Sequence, residues 1–494
     1  MIEFGPYLPD LAAFRNPGAT VARNVLPRSG GGYEPFPALA AVSTAMNAYC
    51  RGAAALTDST GVVYTYAGTG TRLYELDGVA VVNVTRASGG DYINGTDDRW
   101  EFVKWGNTCI AVNFADAVQS ITLGGANFAA LITSVLRPRA KHIAVQGDFV
   151  VLGNTNDATD GDVQNRVWWS AINDPADFQP AAATQCDNQD LQGAGGEIQR
   201  LASMGDFLGI WTRRGLWRMT YVGGAPIFTI IEVEQGRGTP APGSVVTLGR
   251  IAFWLADDGF YAWDGVTVTP IGGGKVDRTF LAEVDETFYG MISAAIDPTR
   301  KVVVWAYPTS ASSGSGIPDK LIAYNWQEGR WSDVVANMQI VYPALSAGLT
   351  LENLDSINAS LDDLPLSLDS PAWAGGAATL GGFTTLHEMA TFSGSNLAAT
   401  METGEMQLFP GERALVTEVM PLVDGGTLTM ALGVRDIVTA AASFTASVAV
   451  DAAGRCAFLS NARYHRARVS VAAAGTWNHA QGIDNIIAEP QGPF

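Results

Sequence analysis

The chain has 494 residues, a formal net charge of −19, and 16% charged against 47% hydrophobic residues. Such a hydrophobic share excludes a disordered chain, and the acidity argues against a protein that grips nucleic acid by neutralising phosphates. No apolar run reaches the length of a membrane-spanning helix, and the N-terminus MIEFGPYLPDLAAF lacks the basic and apolar regions of a signal peptide, so no membrane insertion or secretion is expected.

Residues 1–43 read as an extended N-terminal arm, rich in turn formers such as Pro6, Pro9 and Asn16-Pro17-Gly18. Ala19–Val25 is its one expected short strand. Ser29–Pro35 (SGGGYEP) is a Gly-rich turn and not a phosphate cradle, since no Lys follows and no helix is expected after it. An arm of this kind packs across a neighbouring surface or closes a ring.

From residue 44 onward a unit recurs. Its best copy is Arg250–Gly265, RIAFWLADDGFYAWDG, with two apolar runs around Asp258-Gly259. Asp-Gly favours positive φ at both central positions of a tight hairpin turn. Both faces of the ribbon are apolar, so the hairpin is expected to be buried on both sides, with Trp254 and Trp263 in the core. Cruder copies are Val62–Asp77, Thr108–Leu123, Asp148–Ile172, Asp206–Val222 and Lys301–Trp326, each preceded by a further apolar strand. Three or four strands per period of roughly 40–50 residues are the pattern of β-propeller blades. Residues 44–335 hold six such units. Residues 338–400 look like a seventh, with a strand at Gln339–Ala347 and a hairpin of Phe383–Phe392 with Asn396–Glu402, interrupted by an excursion over 349–381. Seven blades are favoured over six, and the propeller is expected over 44–400. The Asp residues of the excursion lack the D-x-D-x-D-G spacing of a calcium loop.

Residues 401–494 change to alternating strands, among them Ala414–Leu422, Thr427–Val434, Ser443–Val450, Arg455–Leu459 and Ala467–Val471, and read as a C-terminal β-sandwich-like domain. The fold class expected is therefore all-β, a propeller with a sandwich behind it.

Residues suited to chemistry are sparse. The four cysteines are far apart and the four histidines scattered, so neither a zinc site nor any other metal site is expected, and the thiols read as reduced. G-x-S-x-G and Walker-type loops are absent. Glycosidase propellers need a pair of carboxylates, and no pair is singled out. Neither catalytic residues nor cofactors are assigned. Two polar insertions, Asn154–Gln164 and Thr309–Pro318, read as exposed loops, since long loops between paired strands are usually functional or disordered. Asn154, Asp157, Asp160, Asp162, Ser310, Ser313 and Ser315 are the candidate channel or rim residues. The most basic stretch is Asn461–Arg468 (NARYHRAR), and Arg463, His465 and Arg468 are candidate contacts to other subunits.

Several stretches, taken in order, carry a resemblance: FGPYLPDLAAFRNPGATVARNVLPRSGGGYEPFPAL, WWSAINDPADF, DDGFYAWDG followed by PIGGGKVDRTF, SLDSPAWAGG, METGEMQLFPGERA, ARYHRARVSV and GTWNHAQGID. From about Phe4 to Gly482 the chain resembles the tail nozzle proteins of short-tailed bacteriophages, also called tail tubular protein B or packaged-DNA stabilisation proteins. The best-known members are longer, with large insertions between blades. The resemblance implies a structural virion protein of the phage tail, assembled in the host bacterial cytoplasm. It would form a homo-oligomeric, hexameric ring below the portal-adaptor ring, with tail fibre or spike proteins attached outside. The ring would retain packaged double-stranded DNA and conduct it during ejection. That family has no catalytic residues to carry over. An acidic wall suits such a conduit, because a basic one would hold phosphates; Asp157–Asp162 and Asp355–Asp369 are the acidic loops considered for it. The alternatives are a propeller-fold glycoside hydrolase and a monomeric propeller binding module.

Overall fold

The computed structural model describes residues 1–77, 79–95, 98–132, 134–224, 226–312, 314–346 and 376–493. Among these, seven four-stranded antiparallel units succeed one another, and they are the blades of a β-propeller. Their innermost strands are Gly52–Thr57, Glu101–Trp105, Arg139–Gln146, Ile198–Ser203, Val246–Leu248, Ser293–Asp297 and Val341–Leu345. Each lies against the next around the axis, and Val341–Leu345 returns to Gly52–Thr57.

The recurring hairpin forms the two middle strands of a blade. In blade five, Ile251–Ala256 pairs with Gly259–Trp263, and both Trp254 and Trp263 are fully buried. Trp211 of blade four meets them edge-on, at 5.9 and 6.0 Å between ring centroids. Apolar side chains on both faces are what stacking between neighbouring blades requires. The turn differs from expectation. Ala256 pairs with Gly259, so Asp257 and Asp258 are the turn residues, and neither has a positive φ. Gly259 follows at φ +139°, where an added Cβ would lie 2.2 Å from Asp277 Oδ2. The glycine is needed for that close approach and not for a mirror-image turn.

Two other expectations change. Asn154–Gln164 is not an exposed loop: Phe149–Asp157 and Gly161–Trp169 pair through it as an extended hairpin, with a bulge between Gly153 and Thr155. Asn154 takes the bulge at φ +56°, a conformation asparagine tolerates. Phe383–Phe392 and Asn396–Glu402 do not pair with each other. Ala378–Phe383 pairs with Glu388–Asn396, and Ala399–Thr403 leaves for the sandwich. The excursion expected over 349–381 lies outside the described residues as far as 375, and Asp355–Asp369 with it.

The fourth strand of blade seven is Pro37–Ala45, which pairs with Glu388–Asn396 and closes the ring with the beginning of the chain. The rest of the arm is not extended coil. Ile2–Glu3, Val25–Pro27 and Tyr33–Pro35 join one sheet of the sandwich with Trp477–Pro493, Glu412–Gly425 and Cys456–Ala462. Ala19–Arg23 joins the other, beside Ala399–Thr403, Tyr464–Val471 and Leu428–Arg435. This second sheet is continuous with blade six through a parallel bridge, Arg23 to Asp333. Both sheets and blades five and six share one apolar core, which holds Val25, Val416, Met430, Val469 and Trp477 together with Phe253, Phe260, Trp305 and Trp331.

Candidate functional site: the propeller axis and its mouth

The cavity on the axis has a volume of about 320 Å³ and is lined by innermost strands of six blades and by the segment that enters blade two. That segment, Arg99–Trp100, is wedged in place by missing side chains. A Cβ on Gly68 would stand 2.2 Å from Trp100 Cδ1, and one on Gly52 2.1 Å from the Trp100 carbonyl oxygen. Trp100 Nε1 donates to the Thr69 carbonyl at 2.8 Å.

Glu101 opens the inner strand of blade two and is buried on the axis. Its Oε1 accepts from Arg200 Nη1 of blade four at 2.5 Å and lies 2.8 Å from His142 Nδ1 of blade three. Oε2 accepts from the Ile143 amide at 3.1 Å. Burial pushes this carboxyl upward, but Arg200, His142 and the hydrogen bonds overcome it and hold the group down at about 2. The triad ties three blades together and keeps Glu101 ionised, so it is a poor proton donor at neutral pH.

Arg99 differs. Its Nε donates to the Gly290 carbonyl at 2.6 Å, while Nη2 is buried with no hydrogen-bond partner among the described residues. Burial lowers its hold on the proton. Arg99 also lines a second cavity of about 180 Å³ at the mouth of the axis, with Tyr49, Arg51, Asp98, Phe288, Met291 and Ser315.

The residues singled out in the sequence fall in several places. Ser315 reaches the mouth of the axis, and Gly316 beside it leaves room for the Phe288 ring, which an added Cβ would approach to 2.5 Å. Ser310 is exposed at the base of the same loop, its amide donating to the Glu283 carbonyl; Ser313 lies outside the described residues. Asn154 is buried and donates to the Ile198 carbonyl. Asp157 and Asp160 do not form a free acidic lining: both bind Arg166 Nη1, at 3.1 and 2.6 Å, and Asp190 binds Arg166 Nε at 2.6 Å. Asp162 accepts from Asn156.

The basic stretch finds part of its partners within the sandwich, although Arg463 Nε, Arg466 Nε and both ring nitrogens of His465 are buried without a hydrogen-bond partner among the described residues. Arg468 Nε donates to Glu402 at 2.5 Å and its guanidinium lies 3.5 Å from the Phe444 ring centroid. The Arg463 amide donates to Asp436, and its guanidinium lies over Tyr464. His465 is corrected as a contact residue, because the sandwich buries it and its ring faces the core below the sheet. Burial pushes its pKa down to about 4. Among the described residues no group of three His, Cys, Asp or Glu could hold a metal ion, and no helix is long and apolar enough to cross a membrane. All four cysteines are free and buried. Neither Arg99 nor the Glu101 triad stood out in the sequence. Alternation marks which residues share a face, but not which face looks onto the axis.

No protein-family model matches the chain, and no curated protein matches it. Among solved structures it is similar to the computationally designed Ika8 protein, at 11% identity and a TM-score of 0.37 over 71% of this chain and 97% of that one. It is similar to the extracellular domain of a one-component system from B. thetaiotaomicron, at 10% identity and 0.42 over 78% of this chain and 43% of that one. A third is BamB from Moraxella catarrhalis, at 11% identity and 0.35 over 65% and 90%. The blade count given above rests on the strand pairing of this chain itself.

Proposed function

We propose that this chain is a structural subunit of a short bacteriophage tail, a nozzle protein whose copies form a hexameric ring that continues the DNA exit channel below the portal-adaptor ring. The reading starts from the ordered series of sequence phrases that resemble nozzle proteins. The observation that carries it in three dimensions is the continuous sheet from blade six into the sandwich, with one apolar core beneath both. A subunit that transmits load during packaging and ejection needs its parts locked together, and a shared core does that.

The propeller axis itself is not the DNA path in this reading. Duplex DNA, whose major groove alone is about 12 Å wide, does not fit a cavity of about 320 Å³. The lumen would lie between copies. The glycosidase alternative receives little support from the axis. Hydrolysis needs one carboxyl with a raised pKa and a second across the bond, whereas Glu101 is held ionised and Asp98 at the mouth is paired with Lys141 at 3.5 Å.

Light scattering and negative-stain imaging test the reading, on the 52.1 kDa chain alone and after mixing with its portal-adaptor ring. Closed sixfold rings, alone or templated on the adaptor, are the expected result. A chain that stays monomeric in both conditions, or that turns over glycosides, would overturn it.

A further inference from the structure

The connection from blade five to blade six differs from its counterparts. Blade three passes to blade four through 191–197 and blade six to blade seven through 336–340, whereas the chain between Val268–Pro270 and Ser293–Asp297 builds the helix Asp277–Glu283 and then a 3₁₀ stretch, Glu286–Met291. Asp285 starts that stretch, its carboxylate accepting from the Thr287 amide at 3.0 Å. Phe288 breaks it, at φ −114° and ψ 28°, and none of its six residues is buried. The stretch reaches over the axis. Phe288 and Met291 line the mouth cavity of about 180 Å³ with Tyr49 and Arg51, which lead into blade one, Asp98 and Arg99, which lead into blade two, and Ser315 of the blade-six loop. The bond from Arg99 Nε to the Gly290 carbonyl, at 2.6 Å, joins the entries of blades two and six, which stand on opposite sides of the axis. The two ends of the stretch are fixed. At its start the Asp285 amide donates to the Pro308 carbonyl at 3.0 Å, and past its end Ile292 is fully buried. Between them it is held by the Arg99 hydrogen bond, by the Phe288 ring seated against Gly316, and by Tyr289, which packs partly against the core. A stretch with no buried residue, spanning two fixed ends, opens at a lower free-energy cost than the blades around it.

We propose that Glu286–Met291 is a strap that opens and closes the mouth of the propeller axis independently of the blades, with Arg99 as its latch and Gly316 as the seat of the Phe288 ring. The inference goes beyond the nozzle reading and does not depend on it. Swinging the strap outward breaks the Arg99–Gly290 bond and withdraws Phe288 and Met291 from the mouth cavity. Arg99 also lines the axial cavity of about 320 Å³, so releasing the latch opens a path from the mouth to the axis. The blades need not move. Trp100 and the Glu101 triad hold the entry of blade two whether the strap is closed or open. Gly316 sets the closed position, since a Cβ there would stand 2.5 Å from the Phe288 ring and unseat it.

The test is native-state digestion of the full chain with chymotrypsin, which takes large aromatic side chains in its specificity pocket and so can cut after Phe288 or Tyr289. Digestion runs well below the melting temperature, and mass spectrometry locates the first cuts. The expected result is early cleavage after Phe288 or Tyr289 while the blades stay intact, because a protease reports the population of the locally opened state. Arg99→Met should speed that cleavage roughly tenfold, in keeping with the loss of a hydrogen bond from a charged group. Arg250→Met, at an exposed arginine paired with Asp206, should leave it unchanged. Thermal melts show which variants are folded. Should Arg99→Met fail to fold, Gly316→Ala takes its place and should speed cleavage severalfold by unseating the ring. The proposal is overturned if Phe288 and Tyr289 are cut only together with the blades, at the rate of global unfolding. It is overturned equally if Arg99→Met, or Gly316→Ala in its place, is cut there no faster than Arg250→Met. The digestion needs no ring to form, so its failure and the failure of the nozzle reading are separate results.

Discussion

His465 shows what a single buried side chain implies for the whole domain. An unfolded histidine titrates near 6.5, while burial holds His465 down at about 4. Between those values the unfolded chain binds a proton that the folded chain refuses, so this residue lowers stability as pH falls from 6.5 toward 4. Its contribution is fully present above pH 6.5, and a shift of this size corresponds to on the order of 3 kcal/mol. Glu101 acts in a separate window, losing its contribution only as pH falls from 4.5 toward 2. Asp277, whose carboxyl burial raises to about 6, has the opposite sign: the fold gains as pH falls from 6 toward 3.8. The difference between two chains that both keep Glu101 and Asp277 isolates the histidine. Urea unfolding of the wild type and of His465→Leu, from pH 7.5 to 4.5, should show the wild type losing stability faster on acidification. Parallel curves would mean that His465 does not titrate in this range.

At the scale of elements, the helix Asp277–Glu283 depends on a residue far away in the chain. Asp10, from the first turn-rich segment, accepts from the amides of Arg278 and Thr279 at 3.0 and 2.8 Å and from the Thr279 hydroxyl at 2.7 Å. It supplies a cap that the helix lacks locally, since the N-cap position holds Val276. Asp10→Ala should cost about 1 kcal/mol of stability, and Asp10→Asn about half of that or less, measured by denaturant unfolding. Equal stability of Asp10→Ala and wild type would show that solvent replaces the cap. The recurring hairpins were legible because both of their faces are apolar, as in Ile251–Trp263. Pro37–Ala45 was not, since its alanine-rich PALAAVSTA is neither strongly apolar nor alternating and is only partly buried where it pairs. Trp477–Pro493 escaped notice as well. Its pairing with Glu412–Gly425 shifts register repeatedly, which breaks the period-two pattern that marks a strand. The axial arginine was illegible for a different reason: a lone Arg99 beside Trp100 gives no hint that five other blades converge on it.

For the molecule as a whole, the acidity has a definite distribution. Part of it is consumed internally, as where Asp157, Asp160 and Asp190 surround Arg166, and where Glu402 takes Arg466 and Arg468. These two clusters set four carboxylates against three arginines, so nearly all of the excess of −19 is carried by other residues, and the proposed conduit would turn part of it toward the duplex. Electrophoretic mobility shift or anisotropy at physiological salt should detect no affinity of the isolated chain for duplex DNA. Micromolar binding that weakens steeply with salt would contradict an acidic conduit.

The pairing of Pro37–Ala45 with Glu388–Asn396, and of Ile2 with Ile483, sets an order on the making of the protein. Hairpins of blades one to six find their partners within a few dozen residues and can form while the chain is still leaving the ribosome. Ile2–Glu3 and Pro37–Ala45 cannot. Their partners are translated hundreds of residues later, so the ring stays open until Glu388–Asn396 is made and one sandwich sheet stays incomplete until Trp477–Pro493 is made. During that interval the strands awaiting their partners are unpaired edges, the kind of surface on which nascent chains aggregate. An interrupted chain has neither a closed propeller nor a finished sandwich, so in the proposed ring only a whole chain would take a place.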